Sequence, residues 1–193
     1  KLAIAIVLIE VLSCLFDQNR WQPWEYQFIF MLLCYALFAS RQHLYTAWQI
    51  ILVGLYFFSG LSKFNQAFIH DIWNNLILHN WLGIINKHVF IFRIGYTIPL
   101  LEMLAAIFLC FARVRKMGLW ILCGMHFFVL LVFGPLGINW NPVIWPWNIA
   151  MPFLLLTLFY HHSFLPSRNF FAKPISWLLI ACFCILPWLQ LVN

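Results

Sequence analysis

A lysine closes the apolar stretch YFFSGLSKF, Tyr56 to Phe64, in a setting where a membrane helix normally excludes charge. Tyr56, Ser59, Gly60 and Lys63 are spaced i, i+3, i+4, i+7, so on a helix they share one face. Ser59 and Gly60 are small enough for another backbone, or a ligand, to come close one turn below the ammonium. A lysine partly removed from water gives up its proton more readily and can serve as a base. The same position also suits a lysine that only extends its charged head to an interface. Spacing leaves both readings open, with Lys63 a candidate catalytic group and Tyr56 a candidate cofactor contact.

Glu102 and His126 form a second constellation. Both lie inside apolar runs, equidistant from the turn near residue 114 that joins those runs. At about 1.5 Å per helical residue each sits roughly 18 Å from that turn, close to mid-bilayer. A lone carboxylate at that depth is expensive, which predicts that Glu102 is paired or protonated, with His126 as its partner. The pair serves either as a structural hydrogen bond or as proton-handling chemistry.

The third stretch is GPLGINWNPVIWPWN, Gly134 to Asn148. Its prolines and glycines cannot continue a regular helix, which predicts an ordered re-entrant turn. Non-helical backbone persists at membrane depth only where protein or a water-lined cavity satisfies it. Asn139, Asn141 and Asn148 offer such hydrogen bonds, to the turn itself or to a ligand. With Trp145 they are candidate cofactor contacts.

The elements that must position these residues are membrane helices. The chain is 65% hydrophobic and 8% charged, against roughly 25% charged in soluble domains. Seven apolar segments can be drawn: 1–16, 26–39, 44–62, 89–111, 117–136, 143–160 and 174–192. Backbone groups cannot stay unpaired in lipid, so all seven are expected to be helices. The expected fold is an all-α, polytopic transmembrane helix bundle forming one domain over residues 1–193. The chain begins at Lys1 rather than Met, which reads as the end of a longer first helix. The six cysteines all lie within apolar runs and behave as small hydrophobes. Cys182 and Cys184 point to different sides of a helix, so neither a redox motif nor a metal clip is expected.

Charge orients the bundle. Lys1, Arg41, Arg113, Arg115, Lys116, Arg168 and Lys173 fall on one side. Arg20, Lys63, Lys87 and Arg93 fall on the other, diluted by Asp17, Glu25 and Asp71. The positive-inside rule makes the Arg113–Lys116 turn cytoplasmic and Lys63 outward-facing, in a cell (inner) membrane. The net charge of +6 therefore speaks of orientation rather than of nucleic acid. Tryptophans crowd the outer side, which is either a one-sided belt or a packed outer layer. Between spans, Phe68, Ile69, Ile72, Trp73, Leu76, Ile77 and Leu78 follow helical spacing opposite His70, Asp71, Asn74 and Asn75. This predicts an outer interfacial helix that acts as a lid near Lys63. His70, His79 and His88 recur every nine residues and, on an α-helix, alternate in direction, so no metal site is expected.

YFFSGLSKF resembles the signature of the vitamin K-dependent gamma-carboxylase membrane domain and its bacterial relatives, the HTTM-domain proteins. NRWQPWEYQF, Asn19 to Phe28, resembles the stretch before an earlier helix of that family, and His126 in CGMHFF resembles a family position. The likeness covers most of the chain and is specific mainly around Lys63. A GLxK core, here Gly60 to Lys63, is also similar to DoxX-like membrane proteins. The carboxylase resemblance implies that Lys63 is a base that deprotonates a quinol, with Trp24 standing near a family histidine that this chain lacks. These residues hold no soluble domain for a peptide substrate, so protein carboxylation is not implied. Two functions stand: an enzyme using a quinol or similar lipid cofactor, or an accessory subunit packed among membrane lipids and other integral membrane proteins.

Overall fold

The computed structural model describes every residue except Trp21, Asn86, Lys87, His88, Asn141, Ser163, Leu165, Val192 and Asn193. The described residues are helical, with no strand among them. Helix α1 covers Leu2–Phe16, α2 Pro23–Leu37 and α3 Arg41–Ser62. A π-helix covers Phe68–Trp81. After it come α4 (Val89–Ile94), α5 (Thr97–Cys110), α6 (Arg115–Phe133) and α7 (Ile144–Phe159). A short α8, Arg168–Phe171, precedes α9, Pro174–Ile180, which continues through π and 3₁₀ turns to Leu191. Three helical stretches are long and apolar enough to cross a membrane: Arg41–Ser62, Phe90–Cys110 and Arg115–Phe133. Leu2–Phe16, Ile144–Phe159 and Pro174–Leu189 are apolar but shorter.

The contacts gather into two compact units. The first comprises Lys1–Leu55 with Ser163–Asn193, and the second Tyr56–His162. In the first, Pro23 and Pro174 occupy first-turn positions of α2 and α9, where a missing N–H costs nothing. Gly54 lets the chain beyond α9 come close, since a Cβ there would lie 2.3 Å from the Phe183 carbonyl oxygen. The Trp48 indole N–H donates to the Met31 carbonyl at 3.0 Å and ties α3 to α2. Phe38 stacks on Phe170, and the buried Ser176 hydroxyl donates to the Phe170 carbonyl at 2.6 Å.

The second unit carries the candidate chemistry. Its expected 89–111 span is broken at Gly95–Tyr96. Pro99 has no N–H to offer the Gly95 carbonyl, which accepts instead from Ile98 at 3.2 Å, a tighter 3₁₀ closure. Phe64, just past α3, stacks on Tyr96 at this break, with ring centroids 6.0 Å apart. The helix expected between the spans forms where periodicity places it, but with wider winding, as in the Leu82 N–H to Ile77 carbonyl bond of 3.0 Å. Ile69, Ile77 and Leu78 are buried, while His70, Asp71, Asn75 and His79 are exposed. The wider turn brings His70 and His79 to one exposed face, where α-helical winding would have set them apart. His88, the third of that series, lies outside the described residues.

This π-helix is fixed from below. The Trp73 indole N–H donates to the Ile91 carbonyl of α4 at 2.9 Å, and its ring lies over Gly95. Ile77 packs with Val132 and Phe133 at the end of α6, with Trp81 edge-on to Phe128. A Cβ on Gly95 would lie 2.6 Å from the Trp73 ring. Gly95→Val is therefore expected to displace Trp73 and destabilise the unit by about 1–3 kcal/mol, as overpacking does. Cleavage within Phe68–Trp81 should accelerate under limited proteolysis in detergent. An unchanged cleavage rate and Tm would show that this contact does not hold the helix.

Candidate functional site

The site begins with the end of α3. Tyr56, Ser59 and Lys63 lie along one face, as their spacing predicts. Helix α3 closes with tightened bonds, Lys63 N–H to Gly60 carbonyl and Phe64 N–H to Leu61 carbonyl, both 3.1 Å. That closure places the lysine just beyond the last turn. Gly60 is buried, and a Cβ there would lie 2.7 Å from Met103 Cγ and 2.8 Å from the Pro99 carbonyl oxygen. The absent side chain lets α3 meet α5 one turn from Glu102.

Across that contact, Lys63 Nζ donates to Glu102 Oε2 at 2.5 Å and to Ser59 Oγ at 2.8 Å. The lysine side chain is 33% exposed and the glutamate 6%. The carboxylate is thus removed from water, while the ammonium remains within its reach. A cation at 2.5 Å offsets the cost of taking the carboxylate out of water, provided the geometry is good. The direct partner of Glu102 is Lys63, while His126, the partner expected from depth, lies within electrostatic reach of it. Glu102 lies on the second turn of α5, about 8 Å from its start at Thr97, at about 1.5 Å per residue. That is within reach of the α3 terminus.

His126 has other direct partners. Its Nε2 lies 2.6 Å from the Tyr56 hydroxyl and its Nδ1 lies 2.7 Å from Asn148 Oδ1. Asn148 Nδ2 in turn donates to the Ile144 carbonyl at 2.8 Å. All three side chains are buried. Glu102 and Lys63 both lie within electrostatic reach of His126, and Glu102 within reach of Tyr56. Two hydrogen-bonded groups, Lys63–Glu102–Ser59 and Tyr56–His126–Asn148, therefore share α3 as a common wall.

Asn148 was expected to belong to a re-entrant turn. It lies inside α7, whose Pro152 has no N–H for the Asn148 carbonyl four residues back. The turn itself runs from Gly134 to Val143 and hooks over the end of α6. Ile138 N–H donates to the Val132 carbonyl at 2.8 Å and Trp140 N–H to Phe133 at 3.2 Å. Asn139 is exposed there with φ 49°, a left-handed conformation that asparagine tolerates. Asn141 lies outside the described residues. Trp145 is half-buried on the first turn of α7, and its indole N–H has no acceptor among the described residues. Trp24 belongs to the other unit, half-buried on the first turn of α2. The structure thus gathers Tyr56, Lys63, Glu102, His126 and Asn148. Sequence reasoning treated Ser59 only as a small residue and missed it as an acceptor for Lys63, although its i−4 position was visible.

Lys63→Met and Glu102→Gln should each destabilise the second unit, and the double variant should cost less than the sum. Fully buried pairs lose about 3–5 kcal/mol when one partner is removed, and exposed pairs show about 0.2–1 kcal/mol of coupling. With a one-third-exposed lysine, a coupling of about 1–2 kcal/mol is expected. Strict additivity in denaturation titrations would show that the two groups do not interact. Compared with known proteins, the chain finds no match among protein-family models, curated proteins or solved structures.

Proposed function

We propose that the chain is a polytopic membrane protein, similar to the membrane domain of the gamma-carboxylases and HTTM-domain proteins, that handles a proton of a lipid-soluble quinol-type cofactor at Lys63. The observation that carries this reading is the Lys63–Glu102 pair, with a buried carboxylate and a partly exposed ammonium. In this reading Lys63 acts with Glu102, whose Oε2 lies 2.5 Å from Nζ and is placed to take a proton passed on by the amine. A quinol bound beside Lys63 would supply an acidic hydroxyl. The Lys63 amine would relay that proton to Glu102 Oε2, gaining one N–H as it gives up another, so that Glu102 ends as a carboxylic acid and the lysine keeps its charge. Arginine cannot take part, because its guanidinium does not release a proton at any useful pH.

Added ubiquinol-1 should quench tryptophan fluorescence of the purified protein saturably, and Lys63→Met should abolish the effect while the protein stays folded. Lys63→Arg should retain binding and fail to restore the phenotype of a deletion strain. Full complementation by both variants would remove Lys63 from the mechanism, and rescue by Arg alone would leave only a positive-charge role. The accessory-subunit reading draws on large exposed apolar side chains along α6 and α7, including Phe127 and Phe153. A co-purifying membrane protein that covers them, together with no quinol quenching, would favour it.

Charge asymmetry supports an orientation in which Arg113–Lys116 is cytoplasmic and the segment Asn139–Trp147, the end of the turn and the start of α7, is outside, in the cell membrane. In a variant whose native cysteines are replaced, an impermeant thiol reagent added to intact cells should label a cysteine at position 141 and not one at 115. The reverse pattern would invert the orientation.

A further inference from the structure

Asn148 has one amide group and two tasks, and its geometry assigns each atom. The Ile144 carbonyl can only accept, so the atom 2.8 Å from it is the donating Nδ2. The atom facing His126 Nδ1 at 2.7 Å is therefore the oxygen, which can only accept. His126 Nδ1 must carry a proton. At the other side of the ring, the Tyr56 hydroxyl has no partner among the described residues except His126 Nε2, at 2.6 Å. A buried hydroxyl places its proton where an acceptor exists, so it donates to Nε2. Both ring nitrogens are then accounted for, and the imidazole is neutral.

We infer that Asn148 is a positioning residue that locks His126 as the neutral Nδ1–H tautomer and thereby reserves Glu102 for Lys63. An imidazolium at His126 would put a second cation within electrostatic reach of the one buried carboxylate. It would compete with the ammonium for Glu102 and leave the buried cluster with net positive charge, which burial disfavours. It would also present Nε2–H to the Tyr56 oxygen and strand the tyrosine proton. The charged and titratable groups of the second unit that face this ring are Lys63 and Tyr56 from α3 and Glu102 from α5, with neutral Asn148 from α7. An aspartate at position 148 would reverse the balance by giving the imidazolium its own counter-ion. The chain carries the amide instead. This assignment deepens the proposed role of the Lys63–Glu102 pair, but its geometry holds whether or not a quinol is the ligand.

Nitrogen-15 histidine labelling with solid-state NMR in phosphatidylcholine vesicles reads the ring directly. The chain has seven histidines, so the His126 signals are assigned by difference against His126→Gln. At neutral pH the wild-type protein should show a protonated Nδ1 and a bare Nε2. Asn148→Asp should shift Nε2 to the protonated position and lower ubiquinol-1 quenching severalfold, although Lys63 is untouched. Asn148→Leu should give mixed tautomers. A wild-type ring protonated at Nε2, or at both nitrogens, would overturn the assignment without any variant having to fold. An Asn148→Asp spectrum identical to wild type would overturn the positioning role. A correct tautomer with no quinol quenching in the wild-type protein would sink the proposed function alone and leave the tautomer assignment standing.

Discussion

A carboxylate buried to 6% exposure has few ways to exist, and Glu102 takes one of them. Lys63 lies 2.5 Å away, and the geometry around that contact follows from the need to bring the two together. α3 must end where Lys63 can turn towards α5. Gly60 must lack a side chain so that Pro99 and Met103 can approach. Glu102 must lie on the second turn of α5, within reach of the α3 terminus. Each requirement is met by a residue that would be unfavourable in an ordinary apolar helix.

The polar groups divide according to what water can reach. Tyr56, His126 and Asn148 form a closed chain that ends on a backbone carbonyl, with hydrogen bonds of 2.6 to 2.8 Å and no member exposed. Such a chain fixes geometry, because a partly satisfied buried network costs more than an apolar one. Lys63 is the open end of the other group. Its second bond, to Ser59, holds the ammonium against its own helix and limits the directions from which a proton can leave or arrive. The π-helix closes the same unit through Trp73 on α4 and Ile77 on the end of α6.

Local patterns were legible in the sequence and long-range pairings were not. The spacing of Tyr56, Ser59, Gly60 and Lys63 gave their common face, and apolar periodicity gave a helix over 68–81 with the correct buried side. The helical class followed from the backbone's need for internal hydrogen bonds. The partner of Glu102 did not follow, because depth counted from the turn near 114 does not say which neighbouring helix end comes close. Lys63 reaches Glu102 through the α3–α5 approach that Gly60 permits, a long-range contact that spacing does not encode. Asn148 was grouped with the turn on composition, although four further residues of helix before Pro152 were needed to place it opposite His126. The wider winding of 68–81 left no trace in periodicity, since eight apolar positions in fourteen residues fit either winding.

Replacing a buried ion pair with well-packed apolar residues is often neutral or stabilising, by about 1–4 kcal/mol. A chain that is 65% hydrophobic has such residues in abundance and keeps the pair. Stability therefore does not account for Lys63 and Glu102. What an apolar replacement lacks is an exchangeable proton at the boundary between a dry interior and an accessible surface. The exposure difference between the two side chains, 33% against 6%, marks that boundary. The closed Tyr56–His126–Asn148 chain supplies the other condition, a neutral neighbour that does not draw Glu102 away from the lysine. The two groups are complementary: one is an ion pair at the edge of the accessible surface, and the other a closed chain of neutral hydrogen bonds behind it.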